Sequence, residues 1–107
     1  MGKVVELSGS TFEQEIIKSE IPSIVDFFAE WCMPCKVMGP VMDEIANEFD
    51  GRVKIGKLNI DENAEMATNM TVMNIPTLIF FKDGQEAGRV TGVASKDAII
   101  TKIQELL

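Results

Sequence analysis

The chain has 107 residues, 46% of them hydrophobic and 25% charged, and its formal net charge is −7. This length predicts a single compact domain over residues 1–107, and the two cysteines of the chain are too few for a disulfide-scaffolded secreted protein. The acidic balance argues against nucleic acid or an anionic membrane as a partner, and no stretch approaches the roughly 20 apolar residues that span a bilayer.

The first predicted elements are a short strand at 4–7 and a helix that starts with a capping box. Ser10 is the predicted N-cap, and Glu13 three residues later is its reciprocal partner. Pro22 ends the helix. The apolar residues predicted to share one face of this helix are Phe12, Ile16 and Ile17.

A second strand is predicted at 23–29, where nearly every residue is apolar, as in a central strand covered on both faces. The motif Cys32-Met33-Pro34-Cys35 follows directly. Apolar residues at helical spacing come next and place the second cysteine on a helix. Gly39-Pro40 is expected to interrupt and kink that helix.

The remainder of the chain adds a strand at 53–60, a short helix capped by Asn63, and a hairpin turned by Asp83-Gly84. Ser95 caps a last helix. The two strands of the hairpin are 77–81 and 85–91. The order β-α-β-α-β-α-β-β-α predicts an α/β fold with parallel crossovers and a final antiparallel pair.

The cysteine pair is interpreted as a reactive site and not as a structural cross-link. A disulfide across so short a loop stabilises a fold by only about 2 kcal/mol, against about 4.7 kcal/mol for a hundred-residue loop. Cys32 connects a strand to a helix, where unpaired N–H groups and the helix dipole stabilise a thiolate. Lys36 adds positive charge, and Pro34 suits the first turn. Cys32 is expected to be the exposed attacking thiol, and Cys35 the more buried resolving thiol.

The absence of histidine excludes Ser-His-Asp catalysis, Cys-His catalysis and any His-ligated metal site. Zinc needs four ligands, so two cysteines predict no metal site within one chain. A zinc site shared between two chains and a pair of inert core cysteines stay open as alternatives.

Three segments of the chain match the motifs of one known family. The segment Trp31-Cys32-Met33-Pro34-Cys35-Lys36 is similar to the signature Trp-Cys-Gly-Pro-Cys-Lys, and residues 25–30 are similar to the strand that precedes it. Ile75-Pro76-Thr77 is similar to the cis-proline loop of the same family, and the chain thus resembles the thioredoxins. Further positions that have equivalents in the family are Lys57, Asp61, residues 81–84 and Gly92. The resemblance implies a thioredoxin fold, with a five-stranded mixed sheet flanked by four helices. It also implies reduction of protein disulfides and recycling by a thioredoxin reductase, with no bound cofactor.

The chemistry of thiol–disulfide exchange assigns the roles of the site residues. The Cys32 thiolate attacks a substrate disulfide, and Cys35 then resolves the mixed disulfide. Burial raises the pKa of a carboxyl group, so Asp26 is interpreted as the acceptor of the Cys35 proton, through water, with Lys57 as its charge partner. An exposed Asp26 at a strand end is the alternative. Beside the expected cis Pro76, the backbone of Ile75 is expected to pair with a strand-like substrate.

The chain departs from the family pattern inside the motif, where Met33 replaces glycine, and at Phe28 and Asn74, where tryptophan and glycine are common. Methionine cannot donate a hydrogen bond to a thiolate, so a reducing protein is expected. Met33 and Met73 are expected to be exposed on a substrate-docking surface. The predicted members of that surface are Trp31, Met33, Pro34, Ile60, Met73, Ile75, Gly92 and Val93.

The predicted function is therefore a cytoplasmic, monomeric protein-disulfide reductase. The location rests on the lack of a visible signal peptide, and a mature form without its signal would look the same. The alternatives are a disulfide oxidase or isomerase, and a thioredoxin-fold binding subunit without redox turnover.

Overall fold

A computed structural model describes residues 2–107, and its elements follow the predicted order. The strands are β1 Val5–Leu7, β2 Ser23–Phe28, β3 Lys54–Asn59, β4 Thr77–Lys82 and β5 Gln85–Thr91. The helices are α1 Glu13–Ile17, α2 Met33–Glu48, α3 Ala64–Asn69 and α4 Lys96–Leu106. Over the described part of the chain, the expected five-stranded mixed sheet with four helices is confirmed.

The sheet has the order β1-β3-β2-β4-β5, with β2 at its centre. β2 runs parallel to β3 and antiparallel to β4, while β4 and β5 form the antiparallel hairpin. Ile24, Val25 and Phe27 of β2 are 0% exposed, which confirms a central strand covered on both faces. In residues 2–107 no helix is both long enough and apolar enough to cross a bilayer.

Alternation along the strands divides the core between the two faces of the sheet. On one face Ile24 packs with the buried residues of α2 and α4, and on the other Val25 packs with those of α1. The helical members of the first cluster are Met38, Met42, Ile45, Ala46, Ile99 and Ile103, and the second contains Ile16 of α1 and its N-cap residue Phe12. Each face of the sheet is thus sealed by its own helices.

The predicted capping box at Ser10 and Glu13 is wrong. The chain turns earlier, because the Ser8 N–H donates to Thr11 Oγ1 at 3.0 Å and the Ser8 carbonyl accepts from the Phe12 N–H at 3.0 Å. The helix that follows has no side-chain cap. The Ser10 hydroxyl instead shares a hydrogen bond with Ser8 Oγ at 2.9 Å.

The α1 helix is of the π type, since the Lys18 N–H donates to Glu13 O, five residues back, at 2.9 Å. This wider turn buries Ile16 but leaves Ile17 37% exposed, so the predicted face is only partly correct.

The α2 helix continues through Gly39-Pro40, so the predicted interruption is wrong. An interior proline costs a helix about 3 kcal/mol or more. Met38, Met42 and Ile45 on either side are at most 1% exposed and pack against the sheet. Burial of this apolar face offsets the cost of the proline.

The two predicted side-chain caps have different outcomes. Ser95 Oγ accepts from the Ala98 N–H at 3.1 Å, which confirms the cap of α4. Asn63 is the N-cap residue of α3, as predicted, but its side chain makes no cap bond. Its Oδ1 accepts instead from the Gly9 N–H at 3.0 Å, and its Nδ2 donates to Asn59 O at 3.1 Å. The Asn63 side chain thus accepts from the backbone of Gly9, far away in sequence, and not from the first turn of its own helix.

Candidate active site

The cysteine motif lies at the carboxyl end of β2, and the parallel pairing with β3 brings a second segment to the same edge. Phe28 pairs with Asn59, and the Ile60 N–H donates to Phe28 O at 2.9 Å. Asn59 is 8% exposed, and its Oδ1 accepts from the Asp61 and Glu62 N–H groups. This Asx turn fixes the chain directly after β3.

The antiparallel strands bring the proline loop to the same edge. Phe27 pairs with Thr77, so Pro76 lies beside the end of β2, and the Ile75–Pro76 peptide bond is cis. The Gly92 N–H donates to Pro76 O at 2.8 Å, and Gly92 has a φ of +91°. The sheet therefore brings the predicted residues from four strand ends together.

Cys32 is the N-cap residue of α2 and forms a disulfide with Cys35. Its Sγ accepts a hydrogen bond from the Cys35 N–H at 3.2 Å, which is the position of a side-chain cap. Pro34 lies in the first helical turn. An N–H group and the positive end of the helix dipole thus face the Cys32 sulfur, as expected for a stabilised thiolate.

The expected difference in exposure between the two cysteines is wrong for this disulfide form. Cys32 is 4% exposed and Cys35 5% exposed. The sulfurs cover one another, and Ala29, Ile60 and Ile75 pack around them. The two thiols differ in their position on the helix, since only the Cys32 sulfur occupies the N-cap.

Asp26 is buried beneath α2, on the face of the sheet that also carries Ile24. It is 5% exposed, and its Oδ1 has no hydrogen-bond partner. Burial raises the pKa of Asp26 from 3.8 to about 7, and the positive charge of Lys57 partly opposes that rise. Lys57 is the residue paired with Asp26 on β3, and its Nζ lies 5.7 Å from the centre of the Phe28 ring. An exposed Asp26 is excluded.

A pocket of about 160 Å³ connects Asp26 and Lys57 with Cys35. Gly39 also lines it, and a Cβ built on this glycine would meet no atom within 4 Å. The pocket has the volume and the polar groups that water needs. The pocket therefore leaves space for water between Cys35 and the Asp26 carboxyl group, whose pKa burial raises.

Trp31, directly before the first cysteine, is held by a hydrogen bond that was not predicted from the sequence. Its Nε1–H donates to Asp61 Oδ2 at 2.8 Å, although the ring is 67% exposed. Asp61 is oriented by the Asn59 turn described above. An asparagine at the end of a buried strand is a turn signal that would have indicated this arrangement.

The predicted docking residues surround the disulfide with different exposures. Ile60 and Ile75 are half-buried against the cysteines, and Pro34 is exposed. The outer members are Trp31 at 67%, Met33 at 68%, Met73 at 82% and Val93 at 54%. Val37, one helical turn after Met33, is 59% exposed and was not predicted. Large exposed apolar side chains are thus concentrated around the sulfurs.

A disulfide at the N-terminus of a helix, beside a cis-proline loop and above a buried carboxyl group, defines a thiol–disulfide oxidoreductase. The thioredoxin family model matches residues 3–105, and the chain belongs to that family.

Relatives of known name support the same assignment. Thioredoxin 1 of Nostoc sp. is 39% identical over 107 residues, which cover all of both chains. The thioredoxin of Synechocystis sp. is 38% identical over 107 residues, again all of both chains. The thioredoxin of Pseudomonas aeruginosa is 43% identical over 96 residues, or 90% of this chain and 89% of that protein. The chain is therefore a protein-disulfide reductase of the thioredoxin type, and neither alternative function is favoured.

Proposed function

We propose that this chain, as one domain over 1–107, is a monomeric cytoplasmic electron carrier that reduces protein disulfides and is recycled by a thioredoxin reductase. The observation that carries the proposal is the Cys32 sulfur at the N-cap of α2, with Asp26 and the pocket behind Cys35. Met33 supports the reducing direction, since a thioether donates no hydrogen bond to the thiolate.

Catalysis begins when the Cys32 thiolate attacks one sulfur of the substrate disulfide. A bond forms between Cys32 and that sulfur, and the other substrate sulfur leaves as a thiolate that takes up a proton. Cys35 then loses its proton and attacks the Cys32 sulfur. The second substrate sulfur leaves, and the Cys32–Cys35 disulfide closes. Two electrons pass from the protein to the substrate.

Asp26 accepts the proton of Cys35, through water in the pocket, and thereby promotes the second step. A carboxyl group with a pKa of about 7 is suited to this task, because it takes and releases a proton near neutral pH. Lys57 stabilises the ionised carboxylate and keeps its pKa from rising further.

Substrate docks at the edge of the sheet, where the Ile75 backbone pairs with an extended segment that flanks the substrate disulfide. Pro76 has no N–H to donate, so the backbone of Ile75 makes the hydrogen bonds to the substrate segment. The side chains and backbone proposed to contact the segment are those of Trp31, Met33, Pro34, Ile60, Met73, Gly92 and Val93.

Asp26→Asn tests the assigned proton acceptor. The amide keeps the shape of the side chain but cannot take the proton, so resolution by Cys35 should slow by about tenfold or more at pH 7.5. Formation of the mixed disulfide should change by less than about twofold, because Asp26 lies behind Cys35. Rapid mixing with insulin measures both steps, and Cys35→Ser isolates the first. Trp31, the only tryptophan in a chain without tyrosine, provides the fluorescence signal.

Asp43→Asn is the matched control, since Asp43 is exposed on the same helix as Cys35. It should leave both rates near those of the unsubstituted protein. Equal slowing of both steps by Asp26→Asn would contradict the role assigned to Asp26.

A further inference from the structure

The methionines that the structure describes differ sharply in exposure. Met38 and Met42 are 0% and 1% exposed in the core, whereas Met33 and Met73 are 68% and 82% exposed. The intermediate residues, Met66 and Met70, pack against the second core cluster. Core packing therefore explains four of the sulfurs and leaves Met33 and Met73 without a structural role inside the fold.

One exposed thioether lies between the two cysteines in sequence, and the other lies two residues before Ile75, which packs against them. Met33 is the first residue of α2, between the cysteines. Met73 belongs to the segment before the cis Ile75–Pro76 bond, which hydrogen bonds hold at both ends. Thr77 Oγ1 donates to Asn74 O at 2.6 Å, and Arg89 donates to Thr71 O at 3.1 Å. A fixed backbone presents the Met73 side chain to solvent.

Peroxide reacts with the sulfurs of this site in a definite order. In the reduced protein the Cys32 thiolate is the strongest nucleophile, and its sulfenic acid condenses with Cys35 to give the disulfide and water. Once the disulfide is closed, both cysteines are at most 5% exposed. Among the described residues, the thioethers of Met33 and Met73 are then the most exposed sulfurs. Each one takes an oxygen atom from hydrogen peroxide, loses two electrons, and releases the peroxide's other oxygen as water.

We propose that Met33 and Met73 form a peroxide-modification site on the docking surface, and that their conversion to sulfoxides weakens docking of protein disulfides. The proposal rests on the proposed function, since it concerns the same docking surface. A sulfoxide turns a flexible apolar side chain into a polar one. Beside Trp31 and Val93 this change removes apolar area that a substrate segment would cover.

The first test locates the modification and is independent of activity. The disulfide form is treated with hydrogen peroxide, and methionine sulfoxides are followed by peptide mass spectrometry. Met33 and Met73 should be oxidised about tenfold faster than Met38 and Met42, because the latter are enclosed in the core. Oxidation of Met38 or Met42 at the same rate would overturn the proposed site.

The second test measures docking by insulin reduction with dithiothreitol as the electron source, which avoids any reductase. After peroxide treatment and desalting, KM should rise by about threefold or more, while kcat stays within about twofold, as for loss of uniform binding. Met33→Leu with Met73→Leu removes both thioethers. In that variant the treated and untreated forms should have the same KM.

The matched control is Met66→Leu with Met70→Leu, which should remain as sensitive to peroxide as the unsubstituted protein. An unchanged KM in protein shown to carry both sulfoxides would overturn the docking effect, as would equal sensitivity of the Met33/Met73 variant. If the untreated protein fails to reduce insulin, the proposed function is wrong, and the proposed effect of the sulfoxides on docking is wrong as well. The mapped pattern of oxidation separates that failure from failure of the site itself.

Discussion

At the scale of single residues, Asp26 has the most unusual environment in the described chain. Its carboxyl group lies in the central strand, 5% exposed, with one oxygen unpaired. Burial disfavours the charged form and raises the pKa of Asp26 from 3.8 to about 7. The folded protein consequently holds this proton over a pH range in which the unfolded chain has released it.

This difference predicts that the folded protein loses stability as pH rises. Between the unfolded pKa of 3.8 and the folded pKa of about 7, the native state binds more protons than the unfolded state, so the free energy of unfolding falls with increasing pH. From pH 5 to pH 8.5 the loss should be about 3 kcal/mol. Urea unfolding of the disulfide form at the two pH values measures it.

Asp26→Asn removes the titrating group and should make the free energy of unfolding nearly equal at the two pH values. The disulfide form is used because its cysteines do not titrate. A variant that retained the full decrease would show that another group is responsible.

At the scale of secondary-structure elements, the turn between β4 and β5 depends on close packing as well as on backbone conformation. Asp83 and Gly84 have φ values of +53° and +78°, as expected for a two-residue hairpin. A Cβ at Gly84 would lie 2.8 Å from Ile17 O, so the turn packs directly against the end of α1. Gly51 has a similar φ of +82°, but nothing lies within 4 Å of a Cβ built there.

These two glycines permit a matched comparison. Gly51→Ala should lower the free energy of unfolding by about 1–2 kcal/mol, the cost of a left-handed conformation for alanine. Gly84→Ala should cost at least about 1 kcal/mol more, because the methyl group also collides with backbone. Urea unfolding at one pH measures both. Equal losses would contradict the importance of the contact with Ile17.

At the scale of the whole molecule, the cysteine pair lies apart from the two main apolar clusters of the fold. The large apolar clusters occupy the two faces of the sheet, and the cysteines belong to a small third cluster at its edge. The disulfide joins residues only three apart in sequence. Reduction of this disulfide therefore frees only a short loop in the unfolded chain and removes no residue of the two main clusters.

Reduction of Cys32–Cys35 should accordingly lower the free energy of unfolding by no more than about 2 kcal/mol, from the loop-closure estimate. Urea unfolding at pH 5, with and without dithiothreitol, measures the difference while Asp26 stays protonated. Circular dichroism should show the same secondary structure in both forms. Collapse of the fold on reduction would mean that the disulfide is structural.

Much of the fold follows from local patterns. The apolar run at β2, the Asp83-Gly84 turn and the Ser95 cap depend on residues within a few positions of each other, and each prediction is confirmed. Two of the departures from prediction, at Asn63 and at Pro40, share one physical cause, which is contact with distant parts of the chain. Asn63 bonds a distant backbone group instead of its own helix, and packing against the sheet carries α2 through Pro40.

The sequence by itself determined the order of the elements, the position of Cys32 at a helix start and the candidate site residues, because these depend on short-range spacing. Only the tertiary structure decided that Asp26 is buried with a raised pKa, that Cys32 is as covered as Cys35, and that Trp31 is held by Asp61. These properties depend on strand register and on what covers each side chain. Both arise from contacts between residues far apart in the chain, which local patterns indicate only indirectly.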